Sequence, residues 1–339
     1  MGKVKAFGVG LEHPDAKTMI RCAQLSEELG YNTFWLPEDP LFRGGFSLAS
    51  AVASRTSSIG IGLGIVNPYT RHPALLAMEL GALEDVSGGR SILALGASVK
   101  GHIEGQLNIP YTKPRTAVKE SVDIIRLFFK GEQFDYDGAM FKVRGAKFNF
   151  QPLRQEVSIH LGVLGPKNLQ LAGETADGVL LSVMTSPGYA KYAADNVTKG
   201  AAASGRDLNK FQFGAYLLIS ISDDHHTARE RVKPLLAMML GLLPMHGIVD
   251  HPIYSCAGVG PDLAKKFGER LAAGSVPVDM VEDWIIDQFA IAGSPDHCRE
   301  AFAKIVEAGV THPICFEIPG IDPEATIRDV HTHLVPHFL

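Results

Sequence analysis

The feature that most constrains this chain is an eightfold alternation of short apolar runs with longer segments whose apolar residues recur at helical spacing. Residues 4–10, 33–37, 59–64, 91–95, 158–163, 178–182, 213–221 and 313–318 read as strands. Between them, Met19, Cys22, Ala23 and Ser26 repeat on one helical face, Leu76, Leu80 and Leu83 do so behind Pro73, and Val118, Val122, Ile125 and Phe129 do so before Gly131. Pro73, Pro187 and Pro295 stand where a helix begins, the position that tolerates a missing N–H. The strands are nearly continuous apolar runs, as in a sheet covered on both faces. Strand and helix in strict alternation predict an α/β fold, a closed (β/α)8 TIM barrel with its chemistry at the C-terminal ends of the strands. The whole of 1–339 is expected to form one such domain. Two stretches break the rhythm, both expected at the barrel mouth. Residues 133–150 read as a hairpin turning at Asp137 and Gly138, and 241–277, rich in Gly and Pro, as a lid or substrate segment.

Composition removes several classes of function. A net charge of −5, with no Lys/Arg stripe interleaved with aromatics, argues against nucleic acid as a partner. The four cysteines, Cys22, Cys256, Cys298 and Cys315, form no C-x-x-C pair, which suits reduced thiols and gives no zinc site. His331, His333 and His337 cluster near the C-terminus, but Pro336 interrupts the helix that would align them, so no metal is expected. Residues 1–9 alternate like a strand rather than forming a signal-peptide core, and no apolar run would span a bilayer, so a cytoplasmic location with no membrane partner is expected. A G-x-S-x-G elbow is absent, which leaves a hydrolase unsupported.

Three places carry candidate chemistry. Residues 59–73 hold Gly60, Gly62 and Gly64 followed by Asn67-Pro68-Tyr69-Thr70-Arg71-His72-Pro73. A dinucleotide fingerprint fails there, because Asn67 stands where a third spaced glycine is needed and no helix follows directly. Glycine at a strand end marks a bulge or a close approach, and spacing leaves a purely structural bulge and a ligand-shaping one equally open. Leu164-Gly165-Pro166-Lys167 leads a strand straight into a helix, whose free N–H groups attract a phosphate; a plain tight turn with a solvated lysine fits as well. Glu38 and Asp39 end the second strand, as a proton donor would, or as a helix cap paired with Arg43.

Taken together, Asn67 to Pro73, the stretch from Leu83 to Arg90, and Gly165-Pro166-Lys167 continuing into Leu171 to Val179 resemble the luciferase-like superfamily, and within it the branch of methylenetetrahydromethanopterin reductase and other deazaflavin-dependent oxidoreductases. The resemblance implies a barrel, usually dimeric, with a non-prolyl cis peptide at Gly64–Ile65 against the cofactor ring. It implies a phosphate site at Leu164, Gly165, Pro166 and Lys167, with Gly96, Ala97 and Ser98 lining the mouth after strand four and Asn67 and Val163 also binding the cofactor. The expected activity is hydride transfer between the deazaflavin coenzyme F420 and a small organic substrate, with Glu38 or Asp39 as the acid. A flavin mononucleotide (FMN)-dependent monooxygenase and a non-catalytic flavin-binding protein are the alternatives. Pterin reductases of the branch carry an acid near the end of strand one and another after strand four, where this chain has Gly10 and Val99. The sugar-phosphate dehydrogenases place a His beside an Asp where this chain has Glu38-Asp39.

Overall fold

The computed structural model describes residues 3–13, 15–39 and 41–339; Met1 and Gly2, at the start of the expected N-terminal alternation, lie outside the described residues. The chain runs β1 (Gly8–Gly10), α1 (Ala16–Glu28), β2 (Thr33–Leu36), α2 (Gly45–Ala53), β3 (Gly60–Val66), α3 (Pro73–Ser87), β4 (Ser91–Leu95) and α4 (Pro114–Phe129). A hairpin of β5 (Phe134–Asp137) and β6 (Lys142–Ala146) follows, then β7 (Ser158–Leu161), α5 (Pro166–Thr175), β8 (Gly178–Leu181), α6 (Pro187–Ser204), β9 (Gln212–Ile221) and α7 (His225–Leu242). The remainder is α8 (Pro252–Ser255), α9 (Pro261–Ala272), α10 (Asp283–Phe289), β10 (Ala290–Gly293), α11 (Pro295–Glu307), β11 (His312–Phe316), α12 (Pro323–His333) and α13 (Val335–Phe338).

Eight parallel strands close in the order β1-β2-β3-β4-β7-β8-β9-β11, and β11 returns to β1 with Gly8 opposite Ile314 and Gly10 opposite Phe316. This is the TIM barrel that the alternation predicts. Helix starts follow the local chemistry: Asp15 accepts from the N–H groups of Lys17 and Thr18 at the head of α1, and Ser186 accepts from Tyr189 N–H at the head of α6. Inside the barrel, Trp35 lies fully buried, and a Cβ at Gly62 would stand 2.1 Å from its ring, so glycine at 62 makes room for the indole.

Three expectations need correction. The first strand begins at Gly8 rather than at residue 4, because Lys5 and Ala6 N–H both turn to the Thr311 carbonyl instead of forming a ladder. The stretch 241–277, whose Gly and Pro residues read as breaking up regular structure, holds short helices, among them the amphipathic Pro261–Ala272, which buries Ala264, Phe267 and Gly268. An extra strand, β10, pairs with the second half of β9, and a π-helical turn spans Gly101–Gln106; neither has a periodicity long enough to stand out in sequence. The expected hairpin forms, with Gly138 N–H donating to Phe141 O across the turn. Among the described residues no helix is long and apolar enough to cross a membrane.

Candidate active site

The C-terminal ends of the strands surround a cavity of about 700 Å³, within the range that holds a cofactor-sized ligand. One wall is built at the end of β3. The register against β4 shifts between Leu63 and Val66, and the Gly64–Ile65 peptide is cis. Ile65 projects at the cavity edge, over two strand-end glycines: a Cβ at Gly162 would lie 1.9 Å from Ile65 Cδ1, and one at Gly96 would lie 2.5 Å from Ile65 Cγ2. Beneath, Tyr216 of β9 donates its hydroxyl to the Gly64 carbonyl at 3.1 Å. Asn67 uses Oδ1 to accept from the N–H groups of Tyr69 and Thr70, each at 3.0 Å, which fixes the loop leaving the strand.

A second wall is the turn from β7 into α5. Gly165 has φ +77°, a conformation that favours glycine, and it precedes Pro166 at the first helical position. The space a Cβ would take there is open, its nearest neighbour being His251 Nε2 at 3.8 Å. His251 Nδ1 accepts from Ile253 N–H at 3.2 Å, which places the ring proton on Nε2, facing that space. Burial holds this histidine below its ordinary pKa, so it is a neutral donor.

The acids divide into two sets. Glu38 lines the cavity, but its carboxylate is taken: Arg71 grips both oxygens, with Nη2 at 3.0 Å from Oε2, and Gly45 N–H donates to Oε2 at 2.6 Å. Arg71, not Arg43, is its partner, and Arg71 also reaches Glu79 at 3.1 Å. With both oxygens occupied by these three donors, the carboxylate is committed to joining the loops that follow β2 and β3. Asp39 is exposed at the mouth and faces Glu12, which follows β1, while Glu317 follows β11. All three line the cavity. Glu12 is pushed up to about 7 by burial and by the adjacent Asp39 and Glu317. Glu317 is likewise pushed up to about 7 by burial, against the pull of Glu12 N–H.

Of the residues singled out in the sequence, Glu38, Asp39, Gly64, Ile65, Asn67, Ala97, Ser98, Val163 and Leu164 meet on this one cavity. Gly96 lies just behind it under Ile65, and Gly165, Pro166 and Lys167 form the turn at its edge, with the Lys167 side chain exposed. Sequence reasoning missed Glu12, Glu317, Tyr216, His251 and Gly162. Glu12 could have been found: it lies two residues past Gly10 and, in extended chain, shares its face.

The match to known proteins extends over this whole architecture. The model of the luciferase-like monooxygenase family matches residues 4–312. The chain belongs to the luciferase-like monooxygenase family. Within this family it is 32% identical to the 5,10-methylenetetrahydromethanopterin reductase of Methanolobus tindarius, over 97% of this chain and 99% of that one. It is 31% identical to the enzyme of the same name from Archaeoglobus fulgidus, over 92% and 93% of the two chains. The coenzyme F420 dependent tetrahydromethanopterin reductase of Methanopyrus kandleri superposes with a TM-score of 0.88 at 26% identity, covering 98% of this chain and 99% of that one.

Proposed function

We propose that this luciferase-like family member is a coenzyme F420-dependent oxidoreductase acting on a small organic substrate. The observation that carries the reading is the cavity itself, which joins the Ile65 edge, the open N-terminus of α5 and a set of acids in one volume. Its relatives named for F420 or for a pterin reductase reaction supply the coenzyme. The residues fit such a group. Ile65, Ala97, Val163 and Leu164 offer apolar surface to a flat ring, and the Gly165 turn with His251 Nε2–H offers donors to a phosphate where a Cβ would otherwise stand. When bound, a deazaflavin carries a hydride on carbon 5 and reacts poorly with oxygen. The chain's own part is to hold the ring, exclude water and manage protons. Leu235, Met238, Met239 and Leu243, from α7 and just beyond it, cover the cavity with apolar side chains. The acids beyond Ile65 give a substrate polar partners beside the ring, which a non-catalytic flavin-binding protein would not need.

The test is titration of the purified chain with F420 and, separately, with FMN, followed by fluorescence quenching. Micromolar binding of F420 with much weaker binding of FMN is expected, together with oxidation of reduced F420 by at least one carbonyl or C=N acceptor from a panel that includes methylenetetrahydromethanopterin. Preference for FMN, with oxygen uptake when reduced FMN is supplied, would overturn the assignment in favour of a monooxygenase.

A further inference from the structure

A hydride added to the carbon of a C=O or C=N group leaves electron density on the heteroatom, and a positioned acid speeds the step by supplying a proton there. We propose that Glu12 is the proton donor of this site, and that Asp39 passes it protons from solvent. The proposal rests on the F420 reading of the same cavity.

Three neighbouring barrel strands bring the groups together, Glu12 beyond β1, Asp39 beyond β2 and Glu317 beyond β11. The Glu317 side chain is only 7% exposed, and its Oε2 has no hydrogen-bond partner among the described residues. Oε1 of Glu12 is also buried without one. Buried oxygens without donors are costly when charged, so such carboxyls hold protons, and a polar atom of a substrate in the cavity would complete their bonding. The groups that face Glu12 are Asp39 and its N–H, Glu317 and the Tyr216 hydroxyl; His13 lies 3.9 Å from Glu317 on the far side. Asp39 is exposed while Glu12 and Glu317 are largely buried, so Asp39 joins the inner pair to water. Glu38 is excluded from this role by Arg71.

In the reducing direction a C–H bond forms at the substrate carbon with the electron pair delivered from reduced coenzyme, which is oxidised. The O–H bond of Glu12 breaks, a heteroatom–H bond forms, and Glu12 is left as carboxylate. It regains a proton through Asp39 from water. In the oxidising direction Glu12 carboxylate takes the proton instead.

The experiment is a carboxyl titration by NMR of protein labelled with ¹³C-glutamate, without coenzyme, on the parent chain and on E12Q, E317Q and D39N. Two glutamates should titrate near neutrality and disappear one at a time in E12Q and E317Q, while D39N should make Glu12 at least roughly tenfold more acidic. Titration of both in the ordinary carboxylate range, or a Glu12 midpoint unmoved by D39N and E317Q, would overturn the proposal. A second readout is single-turnover oxidation of reduced F420 with, as the probe, whichever acceptor of the panel the parent chain reduces. E12Q should be slower by roughly 10²–10⁴-fold with F420 affinity unchanged, and a rate within about threefold of the parent would refute the role. Failure of the parent chain to bind F420 would remove the coenzyme reading instead, whatever the titration shows.

Discussion

Glu38→Gln separates a positioning role from a catalytic one. The Glu38 side chain is 10% exposed and Arg71 19%, so the pair is largely out of water. Breaking a buried pair from one side costs about 3–5 kcal/mol when the remaining charge is abandoned. Here Arg71 keeps Glu79 at 3.1 Å and lies 5.7 Å from the Phe46 ring centroid, so the charge is not abandoned. What is lost is the charge assistance of the bonds from Arg71 and from Gly45 N–H, which opens α2. Hydrogen bonds to charged groups contribute about 1.5–3 kcal/mol each, and the amide retains part of them, so a net loss of about 2–3 kcal/mol is expected. For a chain of 339 residues that lowers Tm by roughly 3–4 °C. Differential scanning calorimetry measures it, and a double-mutant cycle with Arg71→Met should return a coupling of about 1–3 kcal/mol. F420 affinity should stay within about threefold of the parent, because the bonds lost are internal to the β2–α2 and β3–α3 loops. An unchanged Tm together with a rate loss of about a hundredfold or more would refute this account and return Glu38 to the mechanism.

Gly165→Ala should weaken F420 binding at least tenfold while lowering stability by about 1–2 kcal/mol, since a Cβ at φ +77° is strained and fills the space faced by His251; unchanged affinity would move the phosphate elsewhere. His251→Phe, which keeps bulk but removes the Nε2 donor, should weaken the same binding severalfold by isothermal titration calorimetry, and equal affinity would exclude the histidine. Glu317 is held near 7 rather than 4.5, so its contribution to stability is complete below about pH 4.5 and is lost as pH rises through about 7. E317Q should therefore gain on the parent by roughly 1–3 kcal/mol between pH 5 and pH 8.5 in urea unfolding; a difference that does not change with pH would show that Glu317 is ionised throughout.

The parts of this molecule that sequence displays most clearly are the ones that clamp the barrel. In the Leu83–Arg90 stretch, Arg90 donates to the carbonyls of Ser87 at 2.6 Å, Ala53 at 3.0 Å and Thr56 at 3.0 Å, tying together the starts of β3 and β4. Asp177 of the Ala-Asp-Gly-Val stretch accepts from Ile159 N–H at 3.0 Å and pairs with Arg126. Asn67 turns its own loop. Each role demands one residue type at one backbone position, so it leaves a pattern in the chain. The strand and helix order was legible for the same reason, because burial on two faces and on one face impose different periods. Elements that owe their form to neighbours, such as β10 on the second half of β9, left no such mark.

The acids show why the chemistry was harder to read than the fold. Glu38 draws attention because it ends a strand beside another acid, yet the residue that occupies its carboxylate, Arg71, lies on a different loop. Glu12 escapes attention because the alternation of β1 ends at Gly10. The ladder nevertheless continues, with Leu11 N–H donating to Trp35 O and Glu317 N–H to Gly10 O, so residue 12 keeps the face of residue 10. At Gly10 a Cβ would stand 2.7 Å from the Tyr216 ring, and that ring is needed where it is, with its hydroxyl on the Gly64 carbonyl. A tyrosine on β9 therefore fills the place where a side chain at the end of β1 would sit, and the first position on that face with room for an acid is 12. Which residue of a barrel mouth carries the proton is thus set by packing between strands far apart in the chain, and a search at the end of each strand alone passes over it.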